Sequence, residues 1–137
     1  MTRSLIVALL LSCGLSACAF GRQQALHTAR PRLEEAAPKG AWVALAVHDQ
    51  RKEITSGEKD PDFVGLSRGG YGNPFDVTTK NEAPLAQDVA ESMKNGLQAA
   101  GFRVSVVLVA HSRSTKQAVA KLSAAGANRL LLLRIDK

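Results

Sequence analysis

Two stretches of helical periodicity, each ended by a glycine and each followed at once by an apolar run, constrain this chain more than anything else in it. Leu85, Val89, Met93 and Leu97 recur every fourth residue, which puts them on one helical face, and Gly101 supplies a left-handed stop. Asn81 is the expected N-cap, with Glu82 favourable in the first turn and Pro84 tolerated there. Phe102 to Val109 then reads as a strand. A second helix is expected from Thr115, its cap, to Ala125, with Val119 and Leu122 turned inward and Gly126 ending it, and Arg129 to Ile135 reads as the last strand. Strands joined by a helical crossover run parallel with a right-handed connection, and strands apolar on both faces suit a sheet covered by helices. The second half is therefore expected to be a right-handed βαβ unit.

The first half adds a strand and a hairpin. Trp42 to Val47 is a continuous apolar run bounded by Gly40 and the charged residues that follow His48-Asp49, so it reads as a buried strand. Gln50 to Asp62 is polar, carries Gly57 and Pro61, and reads as a loop. Phe63 to Ser67 and Phe75 to Thr79 flank the glycine-rich Arg68–Pro74 stretch as a hairpin. The fold class is α/β: a single small domain with a mixed sheet, the hairpin preceding a helix and the βαβ unit. An apolar strand such as Leu130–Leu133 exposes unpaired backbone groups at a sheet edge, so the sequence predicts either a central position for it or a domain that is incomplete at Lys137.

Ahead of this domain lies a segment built for export. Arg3 supplies a positive start, Leu5 to Leu11 an apolar stretch, and Ser12 to Ala17 small residues, the three zones of a secretory signal. The apolar part is shorter than the roughly 20 residues of a spanning helix. Leu15-Ser16-Ala17-Cys18 resembles a bacterial lipobox, which marks residues 1–17 as a lipoprotein signal peptide and Cys18 as the lipidation site; ordinary cleavage after Ala19 is the alternative. Ala19 after Cys18 points by the same resemblance to the outer membrane's periplasm-facing leaflet. Residues 18–40, with Pro31, Pro38 and mixed charges, read as a flexible tether, in which Leu26, Ala29, Leu33 and Ala37 would permit a short helix.

Composition limits the function. The mature chain keeps only Cys18 of the two cysteines, so it forms no internal disulfide, and its scarce aromatics argue against a carbohydrate groove or a single-stranded nucleic-acid platform. Charge is divided: from Ser92 to Ile135 there are basic residues and no acid, whereas Asp49 to Glu91 is mainly acidic. The two halves could simply neutralise each other as solvated faces. Otherwise Arg113, Lys116 and Lys121, with Tyr71 in the glycine loop, are the candidate partner-binding residues for an acidic envelope protein or an anionic envelope component. Nucleic acid is not expected as a partner of an exported chain.

Little in the sequence promises chemistry. The glycine loop lacks the Gly-Lys-Ser/Thr of a phosphate loop and the spacing of a dinucleotide fingerprint, so no cofactor is expected. Asp60-Pro61-Asp62 lacks the alternating ligands of a calcium loop. His48-Asp49 and His111-Ser112 each end a strand, which in a parallel sheet puts both histidines at the carboxyl edge where ligands bind. Ser112 has no nucleophile-elbow sequence around it, and a metal would want a third ligand at a definite spacing, so no catalytic or metal residue is assigned.

The lipobox, Val47-His48-Asp49-Gln50-Arg51 closing a strand, Val64-Gly65 with Arg68 and Tyr71-Gly72, and a helix leading into Gly101-Phe102-Arg103-Val104 together resemble the YajG-type lipoproteins of Gram-negative bacteria. That resemblance implies envelope localisation and acylation at Cys18, no reaction, and a chain that continues past the last strand. The expected function is a lipid-anchored, non-enzymatic binding or scaffold module; the alternative is a small anchored hydrolase or ligand binder using the His48/His111 edge.

Overall fold

The computed structural model describes residues 23–25, 29 and 31–137. The expectations for the signal segment, Cys18 and the cleavage site lie outside the described residues. The elements are β1 (Gln23–Ala25), β2 (Trp42–Asp49), α1 (Lys52–Thr55), β3 (Phe63–Arg68), β4 (Pro74–Thr79), α2 (Leu85–Ala99), β5 (Arg103–Val106), α3 (Thr115–Ser123) and β6 (Arg129–Ile135). None of the described helices is long and apolar enough to cross a membrane.

The fold is α/β, with two three-stranded sheets ordered β1-β4-β3 and β5-β2-β6. The second sheet is wholly parallel, with β2 at its centre. Because successive residues of a strand point to opposite faces, β2 serves two cores at once. Val43 and Leu45 pack with Leu97 and Met93 of α2, whereas Ala44 and Ala46 pack with Leu122 of α3. The small alanines let α3 lie close to the sheet, and its innermost residue, Ala118, is fully buried for the same reason. The inward face of α3 is therefore Ala118 and Leu122; Val119, expected inside, is 44% exposed.

Helix boundaries shift where local hydrogen bonds outcompete the expected caps. Glu82 takes a left-handed backbone with its N–H on Thr79 O, so Asn81 sits in a turn and α2 begins only after Pro84, with Leu85 N donating to Pro61 O at 2.9 Å. Ser114, one residue before Thr115, caps α3 through a reciprocal pair with Gln117. Within the expected loop 50–62, the Arg51 carbonyl accepts from Ile54 and Thr55 and starts α1, which buries Ile54. The fifth strand is shorter than the apolar run predicts: after Val107 donates to Leu45 O the chain leaves the sheet, and Lys121 Nζ donates to Leu108 O.

The hairpin stands in its own sheet. β3 and β4 are antiparallel with a bulge between Phe63 and Gly65, and the turn closes through Gly72, whose φ of +79° lies in the left-handed region that favours glycine. β1 adds to β4 in parallel register, Gln23 opposite Val77. Part of the expected tether is thus held against the domain. Ser92 Oγ donates to Ala29 O, Ala37 N donates to Ala100 O at 2.7 Å, and Pro31 lies so close over Gly96 that a β-carbon there would collide with its carbonyl. No helix forms over residues 31–40. Of the two alternatives for β6, the central position is not the one observed: among the described residues β6 lies at the edge of its sheet.

Ala46→Leu should destabilise the protein by roughly 1–3 kcal/mol, because the added volume has to displace Leu122 and α3. Urea denaturation checks this; a neutral or stabilising result would mean that α3 is not seated closely on β2.

Candidate functional site

Chain direction singles out one end of the parallel sheet. From β2 the chain reaches β5 by way of the hairpin sheet and α2, then returns over the other face through α3 to β6. The crossing point is β2, and in open parallel sheets ligands bind outside the carboxyl ends of the strands at such a point. The residues there are His48, Asp49, Gln50, Arg51, the 107–111 segment and the end of β6.

Strand alternation sends His48 to the α3 face with Ala46, and Asp49 to the α2 face with Leu45. His48 is 0% exposed. The Gln50 side-chain nitrogen lies 2.9 Å from His48 Nε2 and donates to the carbonyls of His111 at 2.9 Å and Asp49 at 3.1 Å. The amide nitrogen thus faces three acceptor-type atoms with two protons, and His48 Nδ1 is buried with no hydrogen-bond partner among the described residues. The Gln50 backbone N–H also donates to Ile135 O at 2.8 Å, closing the β2–β6 end. Both histidines do come to the carboxyl edge, but Gln50 fills the space between them, contacting the ring of one and the backbone of the other. Ser112 is exposed, and neither histidine hydrogen-bonds its hydroxyl among the described residues.

On the opposite face Arg51 and Asp49 form a buried ion pair. Arg51 Nε and Nη2 reach Asp49 Oδ1 and Oδ2 at 3.0 and 2.7 Å, a two-point match of planar groups, and Asp49 Oδ1 also accepts from Arg51 N at 3.2 Å. The side chains are 3% and 5% exposed. Arg51 Nη2 continues to Phe63 O at 2.7 Å, so the pair carries a hydrogen bond from the parallel sheet into the hairpin sheet. The Phe63 ring lies 5.7 Å from the guanidinium and 5.4 Å from Lys59 Nζ, and Lys59 in turn pairs with Asp76 at 2.6 Å. The sequence singles out His48 and His111 as the edge and carries Arg51 only within the Val47–Arg51 motif that closes the strand; the signal for its role was the Asp-x-Arg spacing directly after an apolar strand.

Two concavities lie nearby or beyond. One of about 340 Å³ opens at the carboxyl end of β5 and is lined by Val47, Ala90, Val106, Val109 and Lys121, without either histidine. The other, about 540 Å³, lies between Pro31–Leu33 and Asn95–Ala100. Among the described residues no group of three or more His, Cys, Asp or Glu is arranged to hold a metal. Arg113, Lys116 and Lys121 are all exposed on the loop and helix that cross the α3 face, while Tyr71, 97% exposed, stands on the tip of the other sheet. The site therefore belongs to a small α/β protein whose sheet edge is closed by its own side chains. Comparison with protein-family models, with curated proteins and with solved structures found no match.

Arg51→Met should cost about 3–5 kcal/mol, since it strands a buried carboxylate. The double variant Asp49→Leu/Arg51→Met should lose less than Arg51→Met alone. Urea titration of the variants decides, and an Arg51→Met protein within about 1 kcal/mol of the parent would refute the clamp role.

Proposed function

We propose that this protein is a lipid-anchored envelope lipoprotein, acylated at Cys18 and facing the periplasm from the outer membrane, whose α/β domain is a non-enzymatic binding module. The lipobox and the YajG-type pattern support the address. The observation that carries the non-enzymatic reading is the Gln50 plug: the imidazole best placed for general-base work is fully buried beneath an amide, out of reach of any substrate atom. Arg113, Lys116 and Lys121 form the exposed cationic side of the domain and are assigned to an acidic envelope protein or an anionic envelope component.

Two arms test this reading. Cys18→Ser should move the protein from the membrane to the soluble envelope fraction, and an unchanged distribution would contradict the anchor. With the Cys18→Ser protein, replacing Arg113, Lys116 and Lys121 together by Gln should weaken binding to anionic vesicles on the order of a hundredfold at low salt. Vesicle binding that is absent, or indifferent to salt and to these residues, would remove the lipid surface as the partner.

A further inference from the structure

The β6 strand has one edge on β2, and among the described residues no strand lies on the other. Its hydrogen-bonding phase follows from the ladder: Gln50 N donates to Ile135 O, so Ile135, and with it Leu133, Leu131 and Arg129, aim their backbone groups at β2. The β5 side agrees, because Ala41 O and Leu45 O, in the opposite phase of β2, accept from Arg103 and Val107. Leu130, Leu132 and Arg134 therefore direct their N–H and C=O groups outward, where no described strand pairs with them. Charge guards this edge only at its ends, through Arg129 and Arg134; between them the strand is Leu-rich and Leu130 is 48% exposed. A long apolar edge of this kind is a template for strand pairing.

We propose that this edge is where a second copy of the chain docks, antiparallel, with Leu132 opposite the partner's Leu132. That register sets Leu130 opposite the partner's Arg134, so every outward-facing residue meets another outward-facing residue and the two exchange both N–H···O bonds. It also keeps like charges apart, because Arg129 falls opposite the partner's Ile135 and Arg134 opposite the partner's Leu130. Sliding the pair by two residues in one direction leaves Leu130 facing Asp136 beyond the strand and places Arg129 against Lys137. Sliding it the other way leaves Arg134 facing Asn128 outside the strand. The self-pairing register is thus the one that uses the whole edge without repulsion. The helices leave room for it: α2 lies against β2 and β5, away from this edge, and α3 lies against β2 and β6. With strands about 4.8 Å apart, a helix seated between β2 and β6 would stand about 10 Å from its copy, within the spacing of packed helices. The result is a continuous sheet, β5-β2-β6 meeting its own copy across a two-fold axis normal to the sheet.

The experiment is sedimentation equilibrium of the full chain in density-matched detergent at micromolar concentration, with circular dichroism to follow folding. The parent should dimerise. Leu130→Lys, which faces each lysine with the partner's Arg134, should raise the dimer Kd roughly tenfold, and Leu130→Glu, which offers Arg134 a second carboxylate beside Asp136, should lower it several-fold. Leu130→Pro deletes only an outward N–H and should abolish the dimer with the spectrum unchanged, whereas Leu131→Pro deletes a ladder bond to β2 and should damage the fold. A parent that stays monomeric, or a dimer that responds alike to Lys and Glu at position 130, overturns the proposal.

Discussion

The two sheets of this molecule are joined through one buried ion pair. Asp49 and Arg51, two residues apart where β2 leaves the sheet, neutralise each other away from water, and the guanidinium has donors left over for the Phe63 carbonyl at the start of the hairpin. A pair of this kind is not in itself a source of stability, because desolvating both charges cancels much of their attraction. It contributes direction. Either ion left alone in the interior would be costly, so the turn after β2 and the entry to β3 are fixed in the one arrangement that keeps the fork and the carboxylate together. The alternation of β2 then leaves His48 on the opposite face, under Gln50, and the carboxyl edge closes from both sides.

The same strand explains the shape of the layers. Val43 and Leu45 give α2 a deep apolar bed, and Ala44 and Ala46 give α3 a shallow one, so the two helices approach β2 to different depths through residues that differ only in parity. At the amino end, Trp42 is held by Asn128 through its N–H, by Ser105 through its indole nitrogen, and by Arg103 stacked 4.3 Å from its ring. Both ends of the central strand are therefore pinned by polar contacts, while its middle is wholly apolar. Arg113, Lys116 and Lys121 lie outside this frame, on exposed positions.

Periodicity and punctuation carried most of the element order. Leu85 to Leu97 and Gly101 marked α2, the run from Arg129 to Ile135 matched β6 residue for residue, and the glycine loop marked the hairpin. What was not legible depended on contacts between distant residues. The hairpin sheet gains its third strand because Gln23–Ala25, a Gln-Gln-Ala triplet without strand character, pairs with β4. Val119 was misassigned because in a nine-residue helix one position of phase separates the inner face from the outer, and Ala118 carries little apolar weight in any such count. His48 looked available because strand-end histidines usually are; its burial comes from Gln50 and the His111 carbonyl, 61 residues further along the chain. Arg51 was hidden by its charge, since a buried arginine cannot be told from a surface one until its carboxylate and carbonyl partners are placed.

Native-state hydrogen exchange tests the central claim most directly. If the Asp49–Arg51 pair makes the two sheets one cooperative unit, the amides of the β3–β4 ladder and of Thr79, which donates to Asp62 O, should open with the same free energy as those of β2 in the parent protein, and should separate from them in Arg51→Met. A hairpin that already exchanges at a much lower free energy than β2 in the parent would show that the pair does not couple the sheets.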